Sequence, residues 1–162
     1  MGLEGITMLS QTSELGIYIT LYLALAGDGP PVTPRRLAEV LGGSQTYISK
    51  VTGNLVKAGI LRAQRGARGG VLLNHKPEQI TLLMVVEACQ GVILPDYCGP
   101  TSMLRQVCSY HRAMHELHQA LTGVLKRWTF AELAKKPCAS DSLSENLDCR
   151  LAWCRDLVGK PQ

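Results

Sequence analysis

Aromatic side chains are scarce in this chain of 162 residues: they make up 5% of it, with one Phe and two Trp. Proteins that hold single-stranded nucleic acid stack successive bases on such side chains, so this class of binding protein is disfavoured. The sequence also lacks an apolar run long enough to cross a bilayer, a secretion signal at its start, internal repeats and low-complexity tracts. We therefore expect a cytoplasmic protein without a membrane partner.

Enzyme motifs are also missing. There is no HExxH spacing, no Gly-rich loop that would cradle a phosphate, and no paired general base. A small metal-dependent enzyme built from His and Cys therefore has no support, and only a lack of sequence-specific DNA binding would reopen it. Six cysteines are present. In a reducing compartment they indicate metal binding or redox sensing rather than a disulfide framework.

The stretch from Val32 to Asn74 has the pattern of a winged helix-turn-helix. Its predicted elements are a helix from Pro34 to Leu41, a turn at Gly42-Gly43, a helix over 45–58, and strands over 60–64 and 71–74. Thr33 and Ser44 are helix caps by type and position, and Gly59 suits a left-handed helix end. The second helix has the size that fits the major groove of DNA. The expected fold class is mainly α with a small β wing.

The charge of this stretch favours DNA as the partner. Seven Lys or Arg face a single acidic residue, Glu39, which gives +6 against +4 for the whole chain. Attraction to phosphates needs such a local excess, whereas a solvated basic face on an ordinary helical domain is the alternative. The residues that we expect to contact double-stranded DNA are Arg35, Arg36, Ser44, Gln45, Thr46, Tyr47, Lys50, Arg65 and Arg68.

Helices are predicted on both sides of this stretch. The first runs to about Ala26, capped by Thr12 or Ser13, and is apolar almost all round, which is typical of a buried helix. A long helix over 102–128 carries a broad apolar stripe that indicates pairing with a second chain. Thr129 caps a short closing helix, and a polar tail begins at Lys136. The tail holds Cys138, Cys149 and Cys154, with Leu147, Leu151 and Trp153 as the apolar positions of one further candidate helix.

The chain accordingly divides into four parts. These are a winged helix-turn-helix DNA-binding domain over 8–80, a connecting helix and sensor loop over 81–100, a dimerisation helix with a short closing helix over 101–134, and a Cys-containing C-terminal tail over 135–162.

Several motifs together resemble the Rrf-type family of bacterial winged-helix transcription regulators, of the IscR/NsrR/RirA kind. They include Ser44-Gln45-Thr46-Tyr47-Ile48-Ser49-Lys50, Leu55-Val56-Lys57-Ala58-Gly59-Ile60-Leu61, Ile80-Thr81-Leu82-Leu83 and Thr129-Phe130-Ala131-Glu132-Leu133. The resemblance covers about Met8 to Ala134. It implies a homodimer that reads a palindromic operator, a long helix that crosses its partner, and an iron–sulfur cluster held in the loop before that helix.

The resemblance also implies ligands for the cluster. Cys98 and Cys108 match family cysteines, His111 matches a histidine three residues past the last one, and Glu14 falls where a partner chain contributes an acidic ligand. The middle cysteine is missing, and Cys89 stands at a helix end where the family more often has a small or acidic residue. Two thiolates, an imidazole and a carboxylate supply the four ligands of a 2Fe-2S cluster, which we favour over 4Fe-4S.

Three of these residues also have a structural interpretation. Cys89 suits a small core side chain, His111 an interface position, and Glu14 the favourable charge at a helix N-terminus. The predicted function is a dimeric DNA-binding regulator that senses redox, iron or nitric oxide state through the cluster. The alternative keeps the fold but uses a reversible Cys98–Cys108 disulfide as the switch, without a cluster.

Overall fold

Six helices and a two-stranded hairpin make up the part of the chain that the structure, a computed structural model, describes: residues 9–66, 69–93, 108–137 and 153–154. The elements are α1 (Gln11–Ala26), α2 (Pro34–Leu41), α3 (Gln45–Lys57), β1 (Leu61–Gln64), β2 (Gly70–Leu73), a 3-10 turn (Pro77–Gln79), α4 (Leu82–Gln90), α5 (Ser109–Arg127) and α6 (Phe130–Lys135). The predicted fold class is confirmed. Within these ranges no helix combines the length and the apolar character that a membrane span needs.

The two reading helices, α2 and α3, begin at the predicted residues; α2 ends as predicted, and α3 ends at Lys57, one residue before the predicted end. The Thr33 hydroxyl accepts a hydrogen bond from the backbone N–H of Arg36, and Ser44 caps α3 in the same way. Gly42 has a φ of 67° and Gly59 a φ of 74°, a left-handed conformation that a side chain disfavours. The turn between α2 and α3 is therefore set by local sequence.

The wing is a short antiparallel hairpin in which Leu61 pairs with Leu73 and Gln64 with Gly70. Val32, just before α2, adds a bridge to Val71, with N–O distances of 3.0 and 2.9 Å. A Cβ atom on Gly70 would lie 2.5 Å from the Val32 carbonyl oxygen. Glycine is therefore required where the wing is tied to the start of the helix-turn-helix.

The core is built around α1. Side chains that are almost fully buried come from α1, from both reading helices, from the wing and from α4 and α6: Ile19, Leu37, Ile48, Val51, Leu55, Ile60, Leu61, Ile80, Val85, Val86 and Phe130. Burial of a large aliphatic side chain contributes about 1.5–3 kcal/mol, so this cluster fixes α3 on its support. The prediction that α1 is a buried helix agrees with this core.

The cap of α1 differs from the prediction. The side chain of Ser10, not that of Thr12 or Ser13, accepts the hydrogen bond at the helix start, from the backbone N–H of Ser13 at 3.1 Å. Three hydroxyl residues stand within four positions, and only one of them can adopt the extended backbone of a cap. Ser13 lies instead inside the first turn and is buried.

The long helix is shorter than predicted. Cys108 has an extended backbone, with φ −66° and ψ 160°, so α5 begins at Ser109 and the prediction of one helix from Ser102 is wrong at this residue. At its other end the backbone N–H of Leu82 donates to the Trp128 carbonyl, and that of Phe130 to the Ile80 carbonyl. These bonds fix the end of α5 to the start of α4, while Thr122 is the only residue of α5 that is buried.

Two residues of the C-terminal region belong to the core rather than to a polar tail. Cys154 is completely buried, and the Trp153 ring packs on Tyr22 of α1 with ring centroids 5.8 Å apart. The description of Cys154 as a tail thiol is therefore wrong, because its side chain is part of the core. Cys138 and Cys149 lie outside the described residues.

Candidate nucleic-acid interface and thiol sites

The first turn of α3 presents polar side chains to solvent. Gln45, Thr46 and Lys50 are exposed, whereas the hydroxyl of Ser44 is occupied as the cap, 3.2 Å from the backbone N–H of Tyr47. The free N–H groups of a helix start carry a partial positive charge, which favours a phosphate nearby. The exposed side chains of Gln45 and Thr46 lie at this helix start, with Lys50 one turn further along.

Tyr47 differs from its neighbours in this turn. Its ring is half-buried and packs against the core, and its hydroxyl lies 2.9 Å from the hydroxyl of Thr12 in α1. Tyr47, which the sequence assigned to DNA contact, thus joins α3, the expected recognition helix, to α1.

The arginines of α2 share one acidic partner. Arg35 Nε lies 3.2 Å and Arg36 NH1 3.5 Å from the carboxylate of Glu39, and both guanidinium groups are exposed. A side-chain hydrogen bond to Tyr22, with the Glu39 charge as a smaller cause, raises the pKa of Arg36. Exposed ion pairs contribute little, so both arginines remain available to phosphates.

The wing and the rest of α3 carry unpaired positive charge. Lys50, Lys57, Arg62 and Arg65 are exposed, and none of them forms a salt bridge within the described residues. Arg68 lies outside those residues. The result is a basic surface along α3 and the wing, which is the electrostatic footprint of a DNA-binding face.

A thiol and an imidazole meet at the start of α5. Cys108 Sγ lies 3.0 Å from His111 Nδ1, and the ring of Tyr110 stands edge-on to the imidazole at 5.4 Å between centroids. Cys108 is exposed and His111 half-buried. The residues are three apart in the first turn of a helix, which explains their contact.

Of the other proposed ligands, Glu14 does not form a metal-binding group with this pair in one chain. Glu14 is half-buried in the first turn of α1, and Cys98 lies outside the described residues. Among the residues with described positions, no three Cys, His, Asp or Glu side chains form a metal-binding group.

Cys89 occupies a different environment from Cys108. It is half-buried at the end of α4, facing α1, where a Cβ atom on Gly16 would lie 2.6 Å from its sulfur. Desolvation in this contact raises the pKa of the Cys89 thiol to about 11. These properties agree with a core side chain, since the thiolate that binds metal is disfavoured there.

Sequence reasoning missed one polar cluster beside this contact. Gln90 Oε1 accepts hydrogen bonds from the backbone N–H of Ser10 at 2.9 Å and from the hydroxyl of Ser13 at 2.8 Å. The partners are about eighty positions apart in the chain, so no local pattern could have shown them. The only signal was two serines at the start of an apolar helix.

A helix-turn-helix with a basic wing, mounted on a buried helix, defines the chain as a DNA-binding transcription regulator of the winged-helix class. A family model described as "Rrf2: Iron-dependent Transcriptional regulator" matches residues 9–136. The chain belongs to this Rrf2 family, whose matched members are transcription regulators and not enzymes.

Relatives and solved structures agree with this assignment. The protein rrf2 of Nitratidesulfovibrio vulgaris is 31% identical over 130 residues, which cover 78% of this chain and 87% of that protein. The HTH-type transcriptional regulator NsrR of Halalkalibacterium halodurans is 27% identical over 129 residues, or 77% and 88% of the two chains.

Two solved structures share the fold. CymR, the global cysteine regulator of B. subtilis, superposes with a TM-score of 0.65 at 24% identity, covering 78% of this chain and 95% of CymR. IscR of T. potens gives 0.66 at 22% identity, covering 88% and 99%. At these identities the likeness concerns the fold.

Proposed function

We propose that this regulator acts as a homodimer on a palindromic operator and senses redox, iron or nitric oxide state through an iron–sulfur cluster near the dimer interface. The observation that carries the sensing part is the Cys108–His111 pair, with sulfur and nitrogen 3.0 Å apart in an exposed position. The pair stands at the start of α5, the proposed dimer helix, and follows the reading unit (the helix-turn-helix and wing over 33–74) in the chain.

The donor types of the pair fit such a cluster. Thiolate and imidazole both ligate iron in 2Fe-2S centres, which need four protein ligands. Because the described part of one chain brings no third donor to the pair, the remaining ligands are assigned to Cys98 and to Glu14 of a second copy. The cluster, when bound, would supply a redox-active iron centre. Its protein ligands would come from the start of α5 in one chain and from Glu14 in α1 of the second copy.

The dimer proposal depends on the surface of α5. Tyr110, Leu117 and Val124 recur every seven residues and are 62%, 41% and 47% exposed, and Trp128 continues the row. A row of large apolar side chains at this spacing is typical of a helix that packs on another helix. A second copy provides that helix by symmetry and places two recognition helices against half-sites about one helical turn apart.

The oligomeric state tests this part. Leu117→Lys places a charge in the row, and we expect it to produce monomers in sedimentation velocity and to weaken operator binding by at least tenfold. Gln119→Lys, an exposed position on the same helix, is the matched control and should remain dimeric. A dimeric Leu117→Lys protein would show that the row is not the interface.

In the proposed mechanism the protein performs two separate tasks. Gln45 and Thr46 read base edges, while Lys50 and Arg65 attract phosphates. A cluster bound between the start of α5 and the first helix of the second copy would hold the two reading units at one spacing. Loss of this link would change the spacing.

A thiol switch remains the second candidate, because one observation favours it. Cys108 is exposed, with its sulfur 3.0 Å from His111 Nδ1, so an oxidant can reach the thiol. Cys98 and Cys108 would then form one S–S bond. They would lose two protons and two electrons to a peroxide or a disulfide as oxidant.

Iron and acid-labile sulfide analysis of anaerobically purified protein separates the candidates. The proposal predicts visible absorption and about two irons per chain, lost in Cys108→Ala and kept in Cys89→Ala as the control. About four irons would indicate a third thiol ligand, and Cys89→Ala would then become the test of whether Cys89 supplies it. An iron-free protein whose thiol count falls on oxidation would establish the switch instead, and an iron-free protein with constant thiols would contradict both.

A further inference from the structure

The start of α1 is held from the side of α4. Gln90 Oε1 accepts from the backbone N–H of Ser10 at 2.9 Å and from the Ser13 hydroxyl at 2.8 Å. Ser13 is fully buried, so its hydroxyl depends on protein partners. Gln90 therefore acts as a cap supplied by another helix, and it is the last residue of α4.

The same turn of α1 holds the start of α3. Thr12, next to Ser13, places its hydroxyl 2.9 Å from that of Tyr47. The backbone N–H of Tyr47 meanwhile donates to the Ser44 cap. Tyr47 is thus bonded both to the cap of the recognition helix and to α1.

The geometry points to Thr12, Tyr47 and Gln90 as positioning residues for DNA recognition. They join the end of α4 to the first turn of the recognition helix through one turn of α1. The positioning role rests only on DNA binding. The further idea, that the sensor changes the orientation of α3 through Gln90, rests on the proposed sensing function.

Close packing makes α1 and α4 move together at this place. Gly16, one turn after Ser13, leaves no room for a Cβ atom against the Cys89 sulfur. Packed helices with this little free space transmit a shift rather than absorb it. A displacement of the end of α4 therefore reaches Thr12, and through it Tyr47.

This assignment gives Tyr47 a role different from direct reading. If its hydroxyl contacted bases, removal of the Thr12 hydroxyl would leave affinity unchanged. If the hydroxyl holds α3 in place, Thr12→Val and Tyr47→Phe remove the same bond, and the double variant should be no weaker than either single one.

The test measures binding to a duplex selected from a random pool and to an unrelated duplex, under fixed reducing conditions. We expect Thr12→Val, Tyr47→Phe and Gln90→Ala each to weaken specific binding about three- to tenfold, without changing non-specific binding. Gln90→Glu keeps an acceptor oxygen and should restore affinity, and Gln119→Ala, exposed on α5, is the control. Thermal unfolding of each variant separates lost positioning from lost folding.

Other outcomes overturn the proposal. A weaker Tyr47→Phe with an unchanged Thr12→Val would make Tyr47 a direct reader, and unchanged affinity in all three variants would remove the link altogether. Regulation through Gln90 is tested by the ratio of DNA affinities before and after oxidation. Gln90→Ala should lower this ratio. If oxidation does not change the affinity of the parent protein, the proposed sensing function is wrong. The double variant still tests whether Thr12 and Tyr47 position α3.

Discussion

The reading unit of this protein and its sensor side, which comprises α5 and the Cys108–His111 pair, are built in opposite ways. In the reading unit, over 33–74, each helix starts at its own cap and α3 buries Ile48, Val51 and Leu55 completely in the core of the same chain. On the sensor side, α5 buries one residue out of nineteen and its Cys108–His111 pair has no third donor nearby in the described chain. The first unit is completed within one chain, by packing on α1 and α4, whereas the second needs further groups to become a site.

The largest effect should break the reading unit. Ile48→Ala removes a side chain that is 0% exposed, and we expect it to lower the free energy of unfolding by about 2–5 kcal/mol in urea titrations. Val92→Ala, at a position 69% exposed beyond α4, should change it by less than about 0.5 kcal/mol. Equal losses would mean that the two sides do not differ in packing.

Thiol reactivity sharpens the contrast between the two cysteines. Because burial raises the pKa of Cys89 to about 11, its thiolate fraction at pH 8 is small. Alkylation should therefore be about a hundredfold slower than that of a free cysteine. The rate should rise with pH up to that pKa, and exposed Cys108 should be labelled before Cys89 in peptide mapping of the native protein. Faster labelling of Cys89 would contradict its assignment to the core.

The C-terminal contact gives a smaller effect on stability. Trp153→Ala removes the ring that packs on Tyr22, and we expect a loss of about 1–3 kcal/mol in the free energy of unfolding. Trp153→Phe keeps a ring and deletes Nε1, which is buried without a hydrogen-bond partner in the described structure, so it should cost less. An unchanged Trp153→Ala protein would show that this segment does not stabilise α1.

The smallest effect concerns single charges of the basic surface. Lys50→Ala and Arg65→Ala should each lower DNA affinity by about 1 kcal/mol and reduce the slope of log affinity against log salt by about one. Lys126→Ala, exposed near the end of α5, is the control and should leave the slope unchanged. If all three variants keep the slope of the parent protein, the DNA-binding face does not include Lys50 and Arg65.

What the sequence could predict follows the same division. Thr33, Ser44 and Gly59 act on their own neighbours, so the helix-turn-helix was readable from local pattern. The Cys108–His111 pair was indicated by the family resemblance, and its contact joins residues three apart at the start of α5. The prediction of one helix over 102–128 was wrong at Cys108, since the apolar period continues through this residue whereas its backbone is extended.

Long-range contacts account for what remained hidden. Gln90 with Ser13 and Trp153 with Tyr22 each join residues far apart in the chain, and neither pair leaves a local signature. Arg68 and Cys98 lie outside the described residues, so their roles in DNA binding and in the cluster stay predictions.

The central claim is that one side of the protein reads DNA and the other decides how tightly it does so. The most direct test titrates a selected duplex with anaerobic protein before and after oxidation, for the parent chain and for Cys108→Ala. The account predicts at least a tenfold change in affinity for the parent and none for Cys108→Ala, with equal initial non-specific binding in both. The same change in both proteins, or none in the parent, would contradict it.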